Sequence, residues 1–129
     1  MKIITMDHAA VNVTDVEVSR KFYTEKLGLT EMERPAFDFG GVWYEVGPGK
    51  QQFHLISHKD MLKEDLPVST KPRFEHHVAF RVQDINATRK ELESRGVQII
   101  MDNKRPDGVD QLFVKDPDGY VIEFSNYNV

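Results

Sequence analysis

The sequence predicts an α+β domain made of two tandem modules, each running strand, helix, then three further strands. Three observations lead there: an internal echo at a fixed offset, a period of two in the apolar residues that open each half, and helix start and stop signals at matching places. Residues 7–16 (DHAAVNVTDV) echo residues 76–85 (HHVAFRVQDI), an offset of 69 (77 − 8). The same shift lays Arg20-Lys21 on Arg89-Lys90, Pro48 on Pro117, and Phe53-His54-Leu55 on Ile122-Glu123-Phe124. Modules of about 1–58 and 74–129 follow, joined by a charged connector, 59–73, with Pro67, Ser69, Thr70 and Pro72. Each half alone is too short for a comfortable core, so 1–129 is expected to be a single domain built by duplication.

The elements follow in order. Ala9, Val11 and Val13 alternate with His8, Ala10 and Asn12, as in a half-buried strand, and Val78, Phe80 and Val82 alternate with His77, Ala79 and Arg81 in the second copy. Thr14 and Glu17 fit a capping box, Val18 and Phe22 share a helix face, and Gly28 is a stop. Asp84, Ile85, Leu92 and Gly96 repeat that helix. Extended segments are expected at about 30–34, 41–46 and 51–57, then at 98–102, 111–114 and 120–125. Gly47-Pro48-Gly49-Lys50 and Asp116-Pro117-Asp118-Gly119 serve as turns. The second turn is no EF-hand, since its glycine is fourth where a calcium loop needs it sixth. Gly49-Lys50 is no phosphate loop, since Gln51 stands where Ser or Thr is required.

Composition narrows the partners. Seventeen basic against 21 acidic residues give a net charge of -4, which opposes a broad nucleic-acid surface and favours a small-molecule partner. No apolar run exceeds three residues, as in Val42-Trp43-Tyr44, so no transmembrane segment is expected. The first seven residues do not read as a secretory signal, making the cytoplasm the expected location. With no cysteine, disulfides, thiolate metal sites and cysteine nucleophiles are excluded.

The chemistry lies in the repeat. The offset carries His8 to His77 and His54 to Glu123, so each module holds two metal-ligand types 46 residues apart (54 − 8 and 123 − 77). Alternation turns His54 away from Phe53 and Leu55, and Glu123 away from Ile122 and Phe124, onto the face opposite the helix-packed side. If the modules pair with those faces inward, all four side chains converge. Three neutral imidazoles and one carboxylate around a divalent ion leave a formal charge of +1. The set suits Zn, Ni, Fe, Mn or Co better than Mg or Ca, with two positions open in an octahedron. The offset equates Tyr44 with Phe113, and Gln111 shares Phe113's face, so these three are expected to line the pocket. Arg34, Arg73, Arg81 and Arg105 are candidate clamps for an anionic group, Arg81 first because it shares His77's face. His58 and His76 are not expected to be ligands.

Asp7-His8, Phe22-Tyr23 with Leu27-Gly28, His77-Val78-Ala79-Phe80, and Asp116-Pro117-Asp118-Gly119-Tyr120 with Ile122-Glu123 resemble the vicinal oxygen chelate superfamily. That group includes glyoxalase I, methylmalonyl-CoA epimerase, extradiol dioxygenases and fosfomycin- and bleomycin-resistance proteins. The resemblance covers nearly the whole chain and implies paired βαβββ modules forming a cup-shaped mixed sheet around one divalent metal. His8, His54, His77 and Glu123 fall on its ligand positions, and a homodimer is the implied assembly. Bacterial glyoxalase I usually has Glu, and the epimerases Gln, at the place of His54. Where glyoxalase tends to place Arg and Asn for glutathione, Asn12 and His58 stand, so glutathione dependence is not expected. Glu33-Arg34-Pro35, Phe37-Asp38-Phe39-Gly40-Gly41, Trp43 and Gln52-Phe53-His54-Leu55 are similar to a less characterised glyoxalase-like subgroup. The resemblance implies a metal-dependent lyase or isomerase acting through an enediolate, with Glu123 as ligand and proton carrier and Asn12 beside the substrate. A non-haem iron dioxygenase and a non-catalytic binding or resistance protein are the alternatives.

Overall fold

The computed structural model describes residues 1–57 and 76–126. The chain divides into two units, Met1–Asp65 and Leu66–Val129, a division that falls within the expected connector. The connector itself, His58 and Arg73 lie outside the described residues.

In the first unit β1 (His8–Asn12), β2 (Thr30–Met32), β3 (Gly40–Val46) and β4 (Gln51–Ser57) form a sheet of order β1-β4-β3-β2. The β1-β4 pair is parallel and the others antiparallel. The helix between β1 and β2 begins as α1 (Val16–Arg20) and widens into a π-helical stretch, Lys21–Lys26. Two expectations change here. Asp15, not Thr14, caps the helix, its carboxylate accepting from the backbone N–H groups of Glu17 and Val18. Val18 is exposed, and the buried face is Ser19, Phe22 and Tyr23. The wide turn, sealed by Leu27 N–H donating to Phe22 C=O at 2.9 Å, sends two adjacent aromatics inward together. Tyr23 then packs on Phe53 with ring centroids 5.0 Å apart. Gly28 ends the helix at φ +75°.

The second unit repeats the plan. Strands β5 (His77–Arg81), β6 (Met101–Lys104), β7 (Asp110–Lys115) and β8 (Val121–Asn126) take the order β5-β8-β7-β6, with β5 and β8 parallel. Helix α2 (Ile85–Ser94) is α-helical throughout and capped by Asp84, the counterpart of Asp15. Strand β6 starts three residues later than the expected 98. The helix packs on β7 and β8, and α1 on β3 and β4, so each core lies between one helix and one sheet face. Leu55, Phe53 and Val13 fill the first core, and Leu112, Val114 and Ile122 the second. The Asp116 turn is a plain Asx turn: its carboxylate accepts from the N–H groups of Asp118 and Tyr120, and Gly119 takes φ +93°. Among the described residues no helix is long and apolar enough to cross a membrane.

Candidate functional site

Parallel pairing places Ala10 opposite His54 in the first unit and Ala79 opposite Glu123 in the second. His8 and His77 therefore stand two residues before the same register point, on the sheet face away from the helix. Each unit thus brings one expected ligand pair together by the same backbone device.

In the first unit the His8 and His54 rings stack, with centroids 4.2 Å apart and planes 19° apart. Trp43, opposite His54 on β3, stacks from the other side at 4.1 Å and 1°. His54 is only 5% exposed. Burial pushes its pKa down, the neighbouring His8 pushes the same way, Asp7 pulls it up, and Arg34 adds the smallest push down. At neutral pH His54 is a neutral imidazole, the form that binds metal. Its Nε2 donates to Gln52 Oε1 at 2.8 Å. His8 Nδ1 donates to Asp7 Oδ2 at 2.6 Å, leaving Nε2 as the atom with the free lone pair.

In the second unit His77 Nε2 lies 2.9 Å from Glu123 Oε2. Glu123 is 5% exposed, and its other oxygen, Oε1, accepts from Gln111 Nε2 at 2.6 Å and from the Ser125 hydroxyl. Asn103 Nδ2 in turn donates to Gln111 Oε1 at 2.8 Å. Phe113 sits opposite Glu123, fully buried, with its ring edge-on to His77 at 5.9 Å.

The other expected residues divide. Gln111 and Phe113 share the Glu123 face. Asn12 and Arg81 are exposed at the ends of their strands, on the sides of His8 and His77. Tyr44 is placed elsewhere: it pairs with Phe53, is fully buried on the helix side, and shares a 2.9 Å hydrogen bond between its hydroxyl and that of Thr24. The counterpart of Phe113 is Trp43, because the offset is 70 in this strand (113 − 43) while it stays 69 in the strands on either side. Arg105 is engaged with Asp107 at 2.6 Å. Arg34 folds over Phe37 and Phe39. Sequence reasoning passed over Gln52 and Ser125, although each lies two residues from a ligand candidate and so on the same strand face.

The donor chemistry fits a transition metal in kind: imidazoles, one carboxylate, and outer partners that orient them. Among the described residues the donors come as pairs, and no group of three or more His, Cys, Asp or Glu stands together. Nε2 of both His54 and His77 is engaged with a neighbouring oxygen, so a bound cation would replace those contacts.

This doubled strand, helix and three-strand plan, with a His-His and a His-Glu pair on the sheet faces away from the helices, defines a class, and sequence comparison gives the same one. Residues 5–124 match the Glyoxalase/Bleomycin resistance protein/Dioxygenase superfamily, and the chain belongs to it. It is 29% identical to Glyoxylase I 4 of Arabidopsis thaliana, over 98% of this chain and 72% of that protein. A lactoylglutathione lyase of Haemophilus influenzae is 30% identical, over 91% and 88% of the two chains. A metallothiol transferase of Bacillus licheniformis is 28% identical, over 99% and 79%. Among solved structures, a glyoxalase family protein from Bacillus anthracis superposes with a TM-score of 0.81 at 29% identity, covering 99% of this chain and 98% of that one. The vicinal oxygen chelate fold expected from the sequence is therefore the fold of this chain.

Proposed function

We propose that the protein is a metal-dependent lyase or isomerase of glyoxalase type, acting on a small molecule with vicinal oxygens and without need of glutathione. The observation that carries the reading is the duplicated register, which sets His8 against His54 and His77 against Glu123. Relatives named as lactoylglutathione lyase and metallothiol transferase support small-molecule chemistry at such a site. His8, His54, His77 and Glu123 are the proposed ligands of one divalent transition metal. When bound, such a metal acidifies the proton on a carbon beside chelated oxygens. Glu123 is the proton carrier. Gln111 and Ser125 hold Oε1, which leaves Oε2, beside His77, as the atom that takes and returns the proton. Asn12, Arg81, Gln111 and Phe113 are proposed to flank the substrate. A homodimer and a cytoplasmic location belong to the same proposal, on family grounds.

Solvent exchange tests it. Protein reconstituted with zinc, nickel or manganese, incubated in D₂O with a panel of 2-hydroxy ketones and hemithioacetals, is expected to place deuterium on the carbon beside the carbonyl. Glu123→Gln should slow that exchange at least about 100-fold, the lower end of what a positioned base contributes. Unchanged exchange in Glu123→Gln would remove Glu123 from the chemistry. Ring-opened products with iron and oxygen would favour the dioxygenase alternative, and tight binding without exchange the sequestering one.

A further inference from the structure

A second feature of the first unit adjoins the His8 and His54 pair without belonging to it. The Arg34 guanidinium carbon lies 5.0 Å from the centroid of Phe37 and 5.1 Å from that of Phe39, and those two rings stack at 4.9 Å. Phe37 also meets Trp43 at 6.0 Å, and Trp43 stacks on His54. Four rings thus run from Phe39 through Phe37 and Trp43 to the proposed ligand His54, with a cation at the far end.

The backbone makes room for that cation. A Cβ built on Gly41 would run into the Leu55 carbonyl oxygen and meet Arg34 Nε at 3.2 Å and Nη2 at 3.3 Å, so the guanidinium lies against the bare backbone of β3. Gly41 and Trp43 share a strand face about 6.6 Å apart, two residues at the strand rise. Through Phe37, which meets both Arg34 and Trp43, the guanidinium adjoins the strip that ends on His54. Arg34 Nη2 donates to Phe39 C=O at 2.7 Å, while among the described residues its buried Nε has no hydrogen-bond partner and no carboxylate pairs with the group. Phe37 is still 45% exposed, so part of its ring is open to a ligand. A half-buried cation that meets no carboxylate among the described residues, set beside a partly exposed aromatic strip, suits a ligand that carries both a carboxylate and a flat ring.

We propose that Arg34, Phe37, Phe39 and Trp43 form a substrate subsite for an aromatic carboxylate, with the acid group on Arg34 and the ring along Phe37 and Trp43. The proposal rests on reading the His8 and His54 face as the substrate face, and it adds the substrate class. The alternative is that Arg34 only pins the segment from Glu33 to Phe39.

The chain has one tryptophan, so Trp43 emission reports on this strip alone. Metal-free full-length protein is titrated with benzoate, with its neutral isostere benzamide, and with acetate, at constant ionic strength. Benzoate is expected to saturate, binding at least about tenfold more tightly than benzamide or acetate, the scale of one charge-assisted contact. Arg34→Gln should bring benzoate to the benzamide level, and Phe37→Ala, at an exposed position, should weaken both aromatic ligands. Equal binding of benzoate and benzamide to the wild type overturns the proposal, as does the absence of saturation. This holds even if Arg34→Gln does not fold, because the wild-type pair decides. No metal is present in the titration, so its outcome is separate from that of the metal-dependent reading.

Discussion

The two units share a backbone plan and differ in how they hold their proposed ligand pairs. The first holds His8 and His54 by ring stacking, with Trp43 completing a three-ring pile. The second holds Glu123 by hydrogen bonds from Gln111 and Ser125, with His77 against the free oxygen. Register decides where the donors stand, and the strand opposite decides their chemistry. Trp43 faces an imidazole and Phe113 a carboxylate at the same point of two equivalent hairpins. An imidazole offers a flat face that an indole can cover. A buried carboxylate needs donors, and the second unit supplies them two residues away on each strand.

The largest break in this comparison is expected at those facing aromatics. Phe113→Ala empties a fully buried position and should cost about 3–5 kcal/mol. Trp43→Ala, at a half-buried position, should cost roughly half as much because less apolar area is lost. Urea unfolding of both variants measures this, and equal losses would mean that the first unit depends on its ring pile as much as the second does on its core.

A smaller effect sharpens the contrast through pH. The pKa of His54 is depressed in the fold relative to about 6.5 in the unfolded chain. Below that value the unfolded chain takes up a proton that the folded chain resists. This contribution to stability is therefore complete above pH 6.5 and is lost as pH falls through the folded value. Unfolding midpoints at pH 8 and pH 5.5 should differ less in His54→Gln than in the wild type. An unchanged difference would place the pH dependence elsewhere.

Much of this was legible in the sequence, because the repeat and the period of two act locally. His8, His54, His77 and Glu123 were assigned to the open sheet faces by alternation alone, and their pairing within each unit follows from parallel strands whose offset is the same at both ends. Tyr44 was misassigned because β3 and β7 are displaced by one further residue, and one residue reverses the face of a strand. Their sequences, GGVWYEV and DQLFVK, are too unlike to reveal the slip. Val18 was misread because a helix that widens to a π turn abandons the 3.6-residue period on which the prediction rested. Arg34 was one of four arginines until Gly41 and the two phenylalanines gave it a place.

The central claim is that both pairs serve one metal. Metal analysis of protein purified without an affinity tag, beside His54→Ala and His77→Ala, tests it most directly. The expected result is about one transition metal per chain in the wild type and its loss in both variants, one from each unit. Retention in either variant, or no binding by the wild type after reconstitution, would contradict it.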